Sequence, residues 1–319
     1  MKILRGLGGL NAATGPCALT IGSFDGVHRG HQAMLALLSN EARHRGLPSA
    51  VLTFEPHPRD FFFARRGGPA APARIATLRD KMAELARCGI DRAVVLRFDE
   101  TLAALSPEDF ISRVLVRGLD ARYVLVGDDF RFGARRAGDY ALLDAAGARD
   151  GFDVARMQSY EVHGLRVSSS AVREALAAGD MPRTAELLGR PYAVSGRVSH
   201  GRKLGRELGF RTMNLRFGHP RPAAMGIFVA RVQGLGPTPL AAVASLGVRP
   251  AVEDAGRVLL ETHVLDWPDT LPMEAGYGRC ITVELLEKLH DERPYPSLEA
   301  LRVGIAQDVL DARAWFAEP

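Results

Sequence analysis

The segment Gly22-Ser23-Phe24-Asp25-Gly26-Val27-His28-Arg29-Gly30-His31 holds two histidines three residues apart behind closely spaced glycines. Standing alone, such a pair is usually a surface feature. Here it follows a short apolar run, Cys17–Ile21, and precedes a helical pattern, so it lies at a strand-to-helix junction. A helix N-terminus offers unpaired backbone N–H groups and the positive end of the helix dipole, which suit phosphate. Gly22, Gly26 and Gly30 let the backbone turn tightly and approach a ligand. Residues three apart at a helix start share a face, so both imidazoles can address one phosphate. No Glu or Cys accompanies the pair as a zinc hydrolase would need. The Gly-Lys-Ser/Thr ending of a P-loop is also missing. Both histidines lie in a polar loop, so their loss is expected to affect turnover more than folding.

A second glycine-rich stretch, GRVSHGRKLGRELGF at residues 196–210, carries Gly201, Lys203 and Gly205. Spaced glycines among short strands are ordinarily turn chemistry. The same backbone N–H groups, with a lysine as a point charge, also suit phosphate. Just beyond, Thr212 and Asn214 are two residues apart, and on an extended segment their side chains point the same way. Such oxygens are hard ligands of the kind Mg²⁺ takes. Glu261 lies in a strand-like segment, where an isolated carboxylate is normally a solvated face.

The elements that must position these residues follow from pattern. Short apolar runs at Cys17–Ile21, Ala50–Phe54, Ile90–Phe98 and Arg122–Val126 read as buried strands. Helical patterns run from about His31 to Arg45, over Pro107–Val116 with Ser106 as N-cap, and over Ser168–Ala178 and Pro182–Leu188. Alternating strands and helices imply a parallel sheet covered on both faces, with ligands beyond the carboxyl ends of its strands. After about Gly189 the chain turns to short strands: Tyr192–Ser199, Gly226–Val232, Leu240–Ser245, Val258–Leu265 and Cys280–Leu286. Gly/Pro-rich turns separate them, and helix returns only at Leu298–Phe316. That pattern predicts an all-β barrel closed by a C-terminal helix. Two domains, 1–188 and 189–319, are expected, as the length of 319 residues also suggests.

Composition removes several function classes. A 47% hydrophobic and 24% charged chain reads as a soluble globular protein. Net charge is +4, with no basic block or tail, so a nucleic-acid partner is not expected. No run reaches the roughly 18 apolar residues of a membrane span, and no signal-peptide core is visible. Three scattered cysteines, Cys17, Cys88 and Cys280, form neither a zinc pattern nor a closed disulfide set. The expectation is a cytoplasmic protein with small-molecule ligands, no membrane partner, and a monomeric or weakly homo-oligomeric state.

These segments together resemble the bacterial bifunctional riboflavin kinase/FAD synthetase family over nearly the whole length. The first loop looks like the HxGH signature of HIGH-type nucleotidyltransferases. Thr53-Phe54-Glu55-Pro56-His57-Pro58, Gly127-Asp128-Asp129-Phe130-Arg131-Phe132-Gly133 and Arg166-Val167-Ser168-Ser169-Ser170-Ala171-Val172-Arg173 match the FAD synthetase half in order and separation. Ser170 and Val172 stand where Thr and Ile are usual, and Ser23 where Asn is commoner. The stretch 196–210, Arg211-Thr212-Met213-Asn214 and Glu261-Thr262-His263-Val264-Leu265-Asp266 resemble the riboflavin kinase half. Arg293 and a terminal helix with Gln307, Asp308 and Arg313 resemble the family's ending.

The resemblance implies an α/β Rossmann-like nucleotidyltransferase domain followed by a riboflavin-kinase-like barrel with a C-terminal helix. It implies phosphorylation of riboflavin to FMN, then adenylylation of FMN to FAD, with ATP as co-substrate and Mg²⁺ as cofactor. FMN's phosphate is already ionised at neutral pH, so the second step is mostly alignment and charge stabilisation. On this reading Gly22, Ser23, Phe24, Asp25, Gly26, His28 and His31 hold ATP phosphates. Ser169, Ser170 and Arg173 hold the leaving pyrophosphate, with Arg166 beside them and Asp129 near the nucleotide ribose. Phe54, Pro56, His57 and Arg293 contact the flavin. Gly201, Lys203 and Gly205 cradle the kinase ATP, Thr212 and Asn214 hold the metal, and Glu261 is the base for the ribityl hydroxyl.

The departures collect in the second half: Arg211 for Pro, Met213 for Ala, Ala251 for Thr, and Glu274-Ala275-Gly276-Tyr277-Gly278 for Asp-Leu-Tyr-Gly. Met213, much larger than Ala, has the bulk to crowd the kinase pocket, yet the residues implied as metal ligands and base remain, so an active kinase is the favoured reading. Three other readings stand beside the first: an FAD synthetase with an inactive kinase half, a non-catalytic flavin-binding regulator, and a nucleic-acid-binding relative of the HIGH-loop synthetases. The last lacks a Lys-Met-Ser-Lys loop and a basic anticodon-type domain.

Overall fold

The computed structural model describes residues 1–6, 15–66, 71–158, 160–162, 165–200, 208–219, 221–248, 258–272 and 274–318. The chain forms two compact units: residues 1–72 with 81–167, and residues 73–80 with 168–319.

The first unit is a six-stranded, wholly parallel sheet. Its strands are β1 (Lys2–Arg5), β2 (Cys17–Ile21), β3 (Ser49–Glu55), β4 (Arg92–Arg97), β5 (Ala121–Gly127) and β6 (Asp153–Met157). They lie in the order β1-β4-β3-β2-β5-β6. β2 is buried along its whole length, as a strand covered on both faces must be. Helices α1 (Arg29–His44), α2 (Pro58–Arg66), α3 (Leu78–Arg87), α4 (Glu100–Ala103), α5 (Pro107–Phe110) and α6 (Tyr140–Asp150) intervene. The expected Pro107–Val116 helix is α5 running into a π-helical turn over Ile111–Val116, with Ser106 accepting the Asp109 N–H at 3.0 Å as its cap. A two-stranded hairpin, β7 (Glu161–Val162) and β8 (Leu165–Arg166), closes the unit. β1, β6, β7, β8, α2, α3, α4 and α6 were not legible beforehand. Burial pushes the Cys17 thiol up to about 12, and all three cysteines are free.

Chain order reverses about β2: the path runs from β2 outward to β3 and β4, then returns to β5 on the other side. This is the switch point at which open parallel sheets bind ligands. The loops leaving β3, β2 and β5 therefore adjoin, and they carry three of the four motif segments.

The second unit begins with α7 (Ser169–Ala178) and α8 (Met181–Leu188), followed by β9 (Tyr192–Arg197), β10 (Met213–Arg216), β11 (Gly226–Gln233), β12 (Leu240–Val248), β13 (Val258–Val264), β14 (Cys280–His290) and α9 (Leu298–Ala317). The strands form an antiparallel sheet in the order β10-β13-β12-β11-β14-β9. A bridge between Ser199, just beyond β9, and Asn214 of β10 ties its two edges into a near-barrel. α9 runs where expected, and Arg313 anchors it to Asp266, past the end of β13, through two bonds of 2.8 and 3.1 Å. α8, whose Met181, Thr184, Leu187 and Leu188 are buried, packs on β9 and β14. By packing, then, residues 168–188 go with the barrel, whereas the sequence reading draws its boundary after 188. Among the described residues no helix is long and apolar enough to cross a membrane.

Candidate active sites

His28 is the N-cap of α1. Its Nδ1 accepts the His31 N–H at 3.3 Å, which leaves the proton of the neutral ring on Nε2. The two imidazoles stack with centroids 3.6 Å apart and planes 18° apart, so the structure brings the predicted pair together. His28 is 6% exposed, which corrects the picture of a histidine in an open polar loop: it is a buried cap. Glycine at 30 has a steric reason, because a side-chain carbon there would lie 3.3 Å from both the His28 ring and the Val167 carbonyl. Gly22 likewise leaves room for the buried Phe24 ring, whose centroid is 4.9 Å from that of His31. Phe24 and Val27 hold positive φ angles of 48° and 41°. For β-branched Val27 that is a strained conformation of the kind that concentrates at ligand loops. Ser23 is half-buried, and Asp25 and Gly26 are buried within the same turn.

Around this loop, the Asp129 carboxylate folds back over Gly127 at the end of β5, and Arg166 lies 3.5 Å from Asp128. On the β3 side, the Glu55–Pro56 peptide is cis, and His57 Nδ1 accepts the Arg59 N–H at 3.1 Å. The Phe54 ring meets Phe98 edge-to-face at 5.7 Å, and Phe98 in turn meets Phe61 and Phe62 of α2 at 5.4 and 5.7 Å. Phe61, Phe62 and Phe98 were missed beforehand. The Phe-Phe-Phe run at 61–63 was the available signal. Ser169, Ser170 and Arg173 belong to the second unit, at the start of α7. There Ser168 supplies the cap, and Arg173 Nε donates to the Ala73 carbonyl at 2.7 Å.

The second site rests on strand register. Asn214 pairs with Glu261 across β10 and β13, and Glu261 pairs with Ser245 of β12 on its other side. Asn214 is 4% exposed, and its Oδ1 has no hydrogen-bond partner among the described residues. Its carbonyl accepts the Ser199 N–H at 2.9 Å, which holds the strand edge in place. Thr212, two residues earlier, is half-buried. An orphaned buried oxygen beside a hydroxyl and a carboxylate is an oxygen-rich setting that fits a hard cation.

Met213 does not crowd this site. It is paired with Thr262, and side chains alternate along a strand, so it points to the buried inner face, opposite to Asn214 and Glu261. Its sulfur lies 2.8 Å from where a side chain at Gly276 would begin, so the missing side chain at 276 makes room for the larger residue at 213. Met213→Ala is therefore expected to open a cavity and destabilise the barrel by roughly 2–5 kcal/mol, without raising the rate of any barrel reaction. Thermal melts and kcat/KM measured on the same preparation check this.

Arg293 is exposed and donates to the Tyr295 hydroxyl at 3.1 Å, while the Tyr295 ring seats against Gly304 of α9. His290 and Asp308 join β14 to α9 at 2.8 Å. Gly201, Lys203, Gly205 and Ala251 lie outside the described residues.

A parallel nucleotide-type sheet with a histidine-capped loop at its switch point, followed by a near-barrel that pairs a buried amide with a carboxylate across two strands, defines a two-site nucleotide-using enzyme class. Comparison with known proteins agrees part by part. Residues 10–171 match the FAD synthetase family model and residues 188–316 the riboflavin kinase model. The bifunctional riboflavin kinase/FMN adenylyltransferase of Escherichia coli is 45% identical over 99% of this chain and 98% of its own. Those of Pseudomonas fluorescens and Haemophilus influenzae are 44% and 40% identical over similar spans. A solved Streptococcus pneumoniae structure described as a macrolide-efflux protein shares the fold alone, with a TM-score of 0.76 at 23% identity over 99% of this chain and all of its own. The chain belongs to the bifunctional riboflavin kinase/FMN adenylyltransferase family.

Proposed function

We propose that the family's two reactions are divided between the two halves of this chain. The chain is a riboflavin kinase and an FMN adenylyltransferase. Adenylyl transfer is assigned to the loop between β2 and α1. The FMN phosphate attacks the α-phosphorus of ATP, and pyrophosphate leaves. The observation that carries this assignment is the stacked histidine pair at the N-terminus of α1. With Nδ1 engaged in the helix cap, His28 would donate to a phosphate oxygen through Nε2–H, and negative charge builds there as the bond forms. Edge-to-face aromatics around Phe54 offer an apolar setting for a flavin ring, beside Pro56 and His57.

Riboflavin phosphorylation is assigned to the face of the barrel that carries Asn214 and Glu261. Glu261 takes the proton of the ribityl 5′-hydroxyl as that oxygen attacks the γ-phosphorus, and ADP leaves. The Asn214 Oδ1, which has no hydrogen-bond partner among the described residues, supports this reading most directly. Thr212 and Asn214 would hold Mg²⁺, which when bound neutralises phosphate charge. The expected setting is the cytoplasm, with small-molecule substrates only.

The test is direct. Purified protein given riboflavin and ATP with Mg²⁺ should yield FMN and then FAD on chromatography. With EDTA in excess, FMN formation should stop, and added Mg²⁺ should restore it. FMN formation that continues unchanged in EDTA would remove the metal role from Thr212 and Asn214. Absence of FMN under all conditions would remove the kinase assignment.

A further inference from the structure

Lys81 is one of the most deeply buried side chains in the protein, at 1% exposure. An ammonium group loses several kcal/mol of solvation on burial, a cost that its hydrogen-bonding and charged neighbours must offset. Its position suggests what the charge does. Lys81 Nζ donates to Thr53 Oγ1 at 3.3 Å, and Thr53 Oγ1 donates to the Ser23 carbonyl at 3.2 Å. Thr53 is fully buried on β3, and Ser23 is the second residue of the loop that leaves β2. A hydroxyl has one proton. Once it is given to Ser23, only the lone pairs remain to receive a donor, so the two bonds have fixed directions. A cationic donor on that oxygen polarises the O–H and strengthens its hold on the carbonyl.

The consequence lies in peptide geometry. In a trans peptide the C=O and the following N–H point in opposite directions. Drawing the Ser23 carbonyl onto Thr53 therefore directs the Phe24 N–H away from the Thr53 hydroxyl. Phe24 holds a φ of 48°, a conformation that persists only when its surroundings impose it. Its ring also packs against His31, so the peptide that Lys81 and Thr53 hold is continuous with the histidine pair.

We infer that Lys81 is a positioning residue for adenylyl transfer, acting through Thr53 to fix the Ser23–Phe24 peptide beneath the nucleotide phosphates. It touches neither substrate. Its effect is on how well the loop is preorganised for the charge that develops at the α-phosphorus.

The variants are Lys81→Met, which keeps the length and removes the charge, Thr53→Val, which keeps the shape and removes the hydroxyl, and the double substitution. FAD formation from FMN and ATP, its reversal by pyrophosphate, riboflavin phosphorylation and the melting temperature are measured on each. Lys81→Met should remain folded and phosphorylate riboflavin normally. Its kcat for FAD formation should fall about 30- to 100-fold, with KM for FMN within about threefold, and the reverse reaction should fall by a similar factor. Thr53→Val should show the same loss, Thr53→Ser should recover most of it, and the double variant should be no worse than either single one. The inference is overturned if Lys81→Met leaves kcat unchanged, or if the losses of the two single variants multiply in the double. It is also overturned if activity falls only in step with melting temperature and in both reactions alike. Should Lys81→Met not fold, the contrast between Thr53→Val and Thr53→Ser decides alone: equal kcat in the two would end the proposal. Failure of wild type to make FAD from FMN would instead remove the adenylyltransferase assignment itself.

Discussion

Replacing His28 by Asn is expected to lower FAD formation from FMN and ATP by about 10²- to 10³-fold while riboflavin phosphorylation continues. The size follows from the usual cost of losing one preorganised donor to a charge that develops in the transition state. Asn is the informative choice. His28 caps α1 through Nδ1, and Asn is among the best N-cap residues, so this variant removes the Nε2 donor while keeping a cap. His28→Ala removes both, and should lose roughly 1 kcal/mol of stability in addition. His31→Ala should produce a loss of turnover similar to His28→Asn, because on the proposed assignment the stacked rings address one phosphate region. Losses from groups that act as a unit do not multiply, so the double variant should fall well short of the product of the two. Chromatographic assay of FAD, with FMN formation from riboflavin as internal control, measures all of this. FAD formation unchanged in the double variant would take the reaction away from this loop.

The second large effect is expected at Glu261. Glu261→Gln keeps the size and the hydrogen-bonding capacity of the side chain and removes its basicity. Riboflavin phosphorylation should fall in kcat by roughly 10²- to 10⁴-fold, the usual contribution of a general base. Binding of riboflavin and of ATP should be little changed, because the register that places residue 261 between Asn214 and Ser245 belongs to the backbone. FAD formation from added FMN should continue at the wild-type rate. A Glu261→Gln protein that phosphorylates riboflavin normally would show that the hydroxyl proton leaves by another route. Asn214→Ala offers a separate check: it removes the orphaned oxygen, and its loss should be reduced by raising the Mg²⁺ concentration, whereas that of Glu261→Gln should not.

The difference between the two sites in how far they could be read lies in the kind of information each needs. The His28–His31 loop declares itself locally: the glycines, the histidine spacing and the strand-to-helix junction all fall within a few residues. The kinase face does not. Thr212 and Asn214 were legible as a pair because extended chain alternates, and the same alternation turns Met213 inward. The crowding that the size of Met213 suggested is set aside by its direction. Lys81 was missed because nothing near it in sequence marks it, and the aromatic group because only the fold brings Phe98 to the Phe-Phe-Phe run at 61–63. A lysine in a helix with acidic neighbours reads as solvated, and only the packing of α3 buries it.

Sequence by itself determined the alternation of strand and helix in the first half, the run of short strands in the second, the terminal helix, and the segments to which the chemistry is assigned. Each depends on spacing along the chain, on side-chain periodicity, or on a cap such as Ser106. Tertiary structure alone decided that the loops after β3, β2 and β5 adjoin, that α7 and α8 pack with the barrel, that Glu261 stands between Asn214 and Ser245, and that Thr53 reaches Ser23 with Lys81 behind it. These depend on which strands pair and which faces are buried, and that choice is made by contacts between residues far apart in the chain, which no local pattern encodes.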